Sequence, residues 1–141
     1  VTAVVADASV LFKCFFRQEP LAEHAIELLQ RNAAGELRVV VPDLFWPEFG
    51  NILWKAVRLG RCSHESAVAS ISEMRTQELA TLASYELIHD AFAIATRFQR
   101  SMYDSVYVAL AVSLRTHLVT ADERLANALA PHLPVKWLGT S

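Results

Sequence analysis

Apolar positions along this chain fall into two alternating rhythms. Ala3-Val4-Val5-Ala6 is a short continuous apolar run, the pattern of a strand covered on both faces. Ser9 to Phe16 then reads as a short helix. Pro20 opens a second helix at its first position and Gly35 closes it, with Leu21, Ala25, Leu28 and Leu29 on one face. Leu37–Val41 is the next strand, ended by Pro42. From Pro47 the spacing turns helical: Phe49, Ile52, Leu53, Ala56 and Val57 mark one stripe, and Gly60 ends it. Ser63 is placed to cap a further helix, with Ala67, Val68, Ile71 and Met74 turned inward. Thr81–Ser84 has the look of a short strand. Glu86–Gln99 is helical, with Leu87, Ala91, Ala95 and Phe98 on one stripe. Asp104–Arg115 is a helix apolar nearly all round, which predicts burial on several sides. His117–Thr120 is a strand, Glu123–Ala130 a helix, and Val135–Leu138 a last strand at a sheet edge. Strands alternating with helices predict an α/β fold with a central parallel sheet of four to five strands and right-handed connections.

Composition narrows this picture. The 141 residues suit a single domain, 1–141, with no linker or repeat. The apolar fraction, 53%, is high for a solitary soluble domain and predicts surface given to a partner. No apolar run approaches the roughly 20 residues of a membrane span, and Val1–Val5 lacks the basic start of a secretion leader. Cys14 and Cys62 have no ligand spacing and read as reduced thiols, which implies a cytoplasmic protein. Net charge is −2, so any binding of nucleic acid must come from a local site.

The candidate chemistry is acidic. Asp7 directly follows the first strand, Asp122 follows the His117–Thr120 strand by two residues, Glu48 stands at the start of a helix, and Asp104 leads the buried helix. In open α/β sheets, ligands bind beyond the carboxyl ends of the strands, where these four side chains can converge. Each also has a plain structural job available: Asp7, Asp104 and Asp122 as helix caps, Glu48 as a charge favoured by a helix start. Together they are harder to dismiss. Two carboxylates about 5 Å apart repel by roughly 3 kcal/mol at an effective dielectric near 20. A divalent cation relieves that repulsion, and an all-oxygen site selects Mg²⁺ or Mn²⁺. The five histidines are dispersed and offer no rival ligand set. Hydrolysis of a phosphodiester is the chemistry such an ion serves.

Four segments carry a resemblance: Val4-Val5-Ala6-Asp7-Ala8-Ser9-Val10; Pro47-Glu48-Phe49 with Asn51-Ile52-Leu53; Tyr103-Asp104-Ser105-Val106-Tyr107-Val108-Ala109-Leu110-Ala111; and Leu118-Val119-Thr120-Ala121-Asp122-Glu123-Arg124-Leu125. In that order they resemble the PIN-domain ribonucleases, and the compact length is most similar to the VapC toxins of toxin–antitoxin pairs. The resemblance implies a three-layer fold on a five-stranded parallel sheet and Mg²⁺- or Mn²⁺-dependent cleavage of RNA. It also implies a cognate antitoxin that blocks the site. Asp7, Glu48, Asp104 and Asp122 would be the acidic quartet, holding metal and catalysing; Ser9 and Thr120 match polar positions that support it. Arg61–Ser84 matches nothing in the pattern.

Other readings compete. Haloacid-dehalogenase-type phosphotransferases need a second Asp where this chain has Ser9; receiver domains need an acid beside Asp7 that is not there. A non-catalytic PIN-like module that binds RNA or protein is the remaining alternative. Lys13, Arg17, Arg100 and Arg124 lie near the acids in sequence and are candidates for phosphate contacts, against the plainer reading of solvated helix surface. Phe12, Phe15, Phe16, Phe45, Trp46 and Trp54 exceed what one core needs and suggest a homodimer face or a groove for a partner helix.

Overall fold

The computed structural model describes residues 1–140. Five strands form one parallel sheet: β1 (Thr2–Ala6), β2 (Leu37–Pro42), β3 (Ala80–Leu82), β4 (Leu118–Thr120) and β5 (Val135–Trp137), in the order β3-β2-β1-β4-β5. β1 pairs with β2 on one side, Val4 opposite Val39, and with β4 on the other, Ala6 opposite Val119. Its central place explains the unbroken apolar run, since Val4, Val5 and Ala6 are all buried. After β1 the chain builds outward to β3, then returns to start β4 on the opposite side. Strand order reverses between β1 and β4, and a crevice opens beyond their carboxyl ends.

Helices flank the sheet: α1 (Ala8–Leu11), α2 (Ala22–Ala33), α3 (Phe45–Arg58), α4 (His64–Thr76), α5 (Ile88–Phe98), α6 (Met102–Ser113) and α7 (Glu123–Leu129). α6 packs against β1, β2 and β4. Its residues Ser105–Ala111 are buried in one unbroken run, as its all-round apolar pattern requires. The core continues through α3, where the rings of Phe45 and Phe49 stack at 5.5 Å. Met74 of α4 is fully buried. No described helix is long and apolar enough to cross a membrane.

Several boundaries differ from the sequence-based expectation. Pro20 lies in a turn, and Leu21 takes a left-handed backbone (φ 64°), so α2 begins only at Ala22. The helix expected over Ser9–Phe16 is α1 followed by a tighter 3₁₀ turn, Phe12–Phe15. A 3₁₀ turn, Ser84–Leu87, likewise precedes α5. β3 lies one residue earlier than expected and ends at Leu82, because Ser84 is drawn into a clip in which its backbone N–H and hydroxyl both donate to Asp43. α4 turns only Ala67 and Met74 inward; Val68 and Ile71 are partly exposed, since α4 meets the body chiefly along α3.

Candidate active site

Local structure at each acid is set by an ordinary rule of chain geometry. Asp7 leaves β1 in an extended conformation and caps α1, its Oδ1 accepting the Val10 N–H at 3.3 Å. Asp122 does the same for α7, its Oδ1 accepting the Leu125 N–H at 3.1 Å. Glu48 lies in the first turn of α3. Asp104 lies in the first turn of α6, but the cap of that helix is Ser101, whose hydroxyl accepts the Asp104 N–H at 3.1 Å. The carboxylate of Asp104 is therefore not used as a cap.

All four acids line one cleft of about 400 Å³, together with Ser9, Asn51 and Tyr107. Another cavity, about 460 Å³ between α3 and α4, contains none of them and is walled by Trp46, Phe49, Ile71 and Leu79. Two hydroxyls border Asp7. Ser9 donates to Asp7 Oδ1 at 2.5 Å and accepts the Ala121 N–H at 3.1 Å, tying β1's end to β4's. Thr120 is fully buried, accepts the Asp122 N–H at 3.1 Å, and lends Asp7 a hydrogen bond that favours its ionised form.

Electrostatics in the cleft are strained toward positive charge. Burial pushes the Asp7 carboxyl up to about 6, against the hydrogen bonds from Ser9, Thr120 and Val10, and the charge of Asp104 adds to the rise. Glu48 is raised by burial and by Asp104, and is held back by the hydrogen bond from Tyr107. Asp104 is raised by burial and by Asp122; Arg100 and Ser101 pull the other way. No ion pair to any of the four is formed among the described residues; the three pairs present join Lys13 and Arg61 to Glu19, and Arg31 to Glu36.

The four acids share a cleft without closing into a cage. No three acidic, histidine or cysteine side chains stand together as ready ion ligands among the described residues. The acids couple through Asp104, and on Asp7, Asp122 and Glu48 one oxygen accepts from a protein donor. The donor set still suits a small hard cation, since Mg²⁺ binds through one or two carboxylates and keeps several waters.

Tyr107, inside the apolar run of α6, has a polar role that the run itself does not signal. It is 3% exposed, and its hydroxyl donates to Glu48 Oε1 at 2.7 Å. Its place three residues after Asp104 puts both on one side of α6, a spacing that could have flagged it. Lys13, a candidate for phosphate contact, is buried and held by Glu19 at 3.7 Å, so it is not free for that role. Arg17 and Arg124 are exposed; Arg100 is half-buried and acts on Asp104. Of the aromatic set, Phe16 and Phe45 are core, whereas Trp54 is 56% exposed with the Arg58 guanidinium over its ring at 4.8 Å.

Comparison with known proteins adds to this geometry. The family model described as PIN domain matches residues 4–129. Ribonuclease VapC3 of Pyrobaculum aerophilum is 32% identical over 128 residues, covering 88% of this chain and 92% of that one. Among solved structures, PAE2754 from Pyrobaculum aerophilum superposes with a TM-score of 0.73 at 22% identity, over 99% of this chain and 85% of the other. VapBC2 from Rickettsia felis, bound to a DNA fragment from its promoter, superposes with a TM-score of 0.70 at 11% identity, over 96% and 98%.

Proposed function

The chain belongs to the PIN-domain family, and from that premise we propose that it is a divalent-metal-dependent endoribonuclease, the toxin of a toxin–antitoxin pair. The observation that carries the reading is that Asp7, Glu48, Asp104 and Asp122 line one cleft with, among the described residues, no cationic side chain in an ion pair with them. Those carboxylates would hold Mg²⁺ or Mn²⁺, with Asp7 and Asp104 as the principal ligands, directly or through water. The bound ion would supply positive charge for the phosphoryl oxygens and a more acidic water.

The remaining work belongs to the protein. Ser9 and Thr120 hold Asp7 at the mouth of β1 and favour its charged form. Tyr107 holds Glu48. Asp122, exposed at the start of α7, is the acid most open to a water approaching the scissile phosphate. RNA is the proposed substrate, and a cytoplasmic location fits two unpaired thiols, Cys14 among them with its pKa pushed up to about 12 by burial.

A partner is supported by apolar surface. The α3–α4 cavity suits an apolar segment of a cognate antitoxin. Tyr85 in the 3₁₀ turn before α5, and Ile88 and Phe92 in α5, are exposed at helical spacing, a face suited to a second copy of the chain.

The alternative is a non-catalytic RNA- or protein-binding module, in which the four carboxylates serve no ion. A nuclease assay on RNA and on DNA, with Mn²⁺ and then with chelator, separates the two. The nuclease reading expects RNA to be cut with Mn²⁺, to survive with chelator, and to be cut again when Mn²⁺ is restored. RNA left intact under every condition would leave only the binding module.

A further inference from the structure

Glu48 is held by a side chain from a distant part of the sequence. Tyr107 reaches it from α6, 59 positions along the chain, and donates to Oε1 at 2.7 Å. One buried phenol thus links α6, which carries Asp104, to the helix that carries Glu48. Among the described residues, Glu48 Oε2 takes no hydrogen bond from the protein.

We propose that Tyr107 is a positioning residue for Glu48 that sets the ion preference of the cleft: by occupying one lone pair of Oε1 and fixing the carboxylate's orientation it makes Oε2 the freer oxygen, favouring a small octahedral ion over calcium. The inference rests on the reading of the cleft as a cation site. Its chemistry is general. Ca²⁺ takes six to eight oxygens at about 2.3–2.6 Å and readily binds both oxygens of one carboxylate. Mg²⁺ demands a near-ideal octahedron at about 2.0–2.1 Å and keeps its waters, so one oxygen per carboxylate suffices. A phenol is suited to the task because it is neutral. A lysine or arginine in its place would also hold Glu48, but would cancel the charge that draws the ion. The plainer role for Tyr107 is that of a buried tyrosine satisfying its hydroxyl. That role affects stability and leaves ion preference untouched.

The test compares Mn²⁺ and Ca²⁺ binding by calorimetry in the wild-type protein and in Tyr107→Phe, with circular dichroism to confirm folding. The wild type should prefer Mn²⁺. In Tyr107→Phe, Mn²⁺ affinity should fall roughly tenfold while Ca²⁺ affinity holds or rises, so the preference narrows. On a Glu48→Gln background, adding Tyr107→Phe should change neither affinity. An unchanged Mn²⁺-to-Ca²⁺ ratio in folded Tyr107→Phe overturns the proposal, and so does a shift that persists on the Glu48→Gln background. A wild type that binds Ca²⁺ as tightly as Mn²⁺ overturns it without any variant. A wild type that binds neither ion overturns both this proposal and the metal-site reading beneath it.

Discussion

Asp7 serves two ends at once, capping α1 and carrying charge into a buried crevice. Its carboxyl stands at about 6 in the fold against 3.8 for the free side chain. Between those values the native chain holds the extra proton, so metal-free stability falls as pH rises from about 4 to about 6 and stays reduced above. A gap of about two units corresponds to about 3 kcal/mol, and loss of an ideal Ser9 bond in a variant offsets about 1 kcal/mol of it. Asp7→Asn, which keeps shape and removes charge, is therefore expected to melt several degrees higher than the wild type at about pH 8 without metal. The gain should vanish near pH 4, and RNA cleavage should be lost. Melting curves at the two pH values check the sign, and equal melting temperatures at pH 8 would contradict the assigned burden. Asp104→Asn should also abolish cleavage while folding normally, since its carboxylate caps nothing.

Helix α6 carries the site's second half, presenting Asp104 and Tyr107 from a rod buried along seven successive residues. Its start depends on Ser101. Ser101→Ala removes the acceptor for the Asp104 N–H, should cost about 1 kcal/mol, and should lower cleavage by loosening Asp104; urea titration beside a rate measurement would show both, and an unaltered midpoint would contradict the cap. Much at this scale was legible beforehand. An apolar run stopping at Asp7 announced β1 and its cap. Ser63 caps α4, its hydroxyl accepting the Ser66 N–H at 3.0 Å, and Gly60 ends α3 with φ 72°, as their residue types suggested. What stayed hidden depended on tertiary contacts that no local pattern encodes. Pro20 marks a helix start two residues too early because Leu21 turns left-handed first. The hydroxyl of Tyr107 looked like part of an apolar stripe because its partner lies on α3. Lys13 looked solvated because Glu19, which covers it, follows in a turn.

Across the whole molecule, strand order is what gathers distant acids. Reversal between β1 and β4 opens a crevice at their carboxyl ends, and α3 and α6 bring Glu48 and Asp104 to it. A chain of net charge −2 with an acidic cleft repels RNA phosphates unless a cation intervenes, so substrate affinity should rise with Mn²⁺ as well as turnover. The exposed Tyr85, Ile88 and Phe92 predict self-association: sedimentation at micromolar concentration should show a dimer, and Phe92→Glu should shift it toward monomer. A wild-type chain that sediments as a strict monomer would remove that assignment while leaving the cleft untouched. The cleft itself is tested most directly by anomalous scattering from crystals soaked in Mn²⁺. The expected result is manganese density between Asp7 and Asp104, with Glu48 and Asp122 facing it and the density absent from Asp104→Asn crystals. A cleft that stays empty at saturating Mn²⁺, or manganese bound only elsewhere, would contradict it.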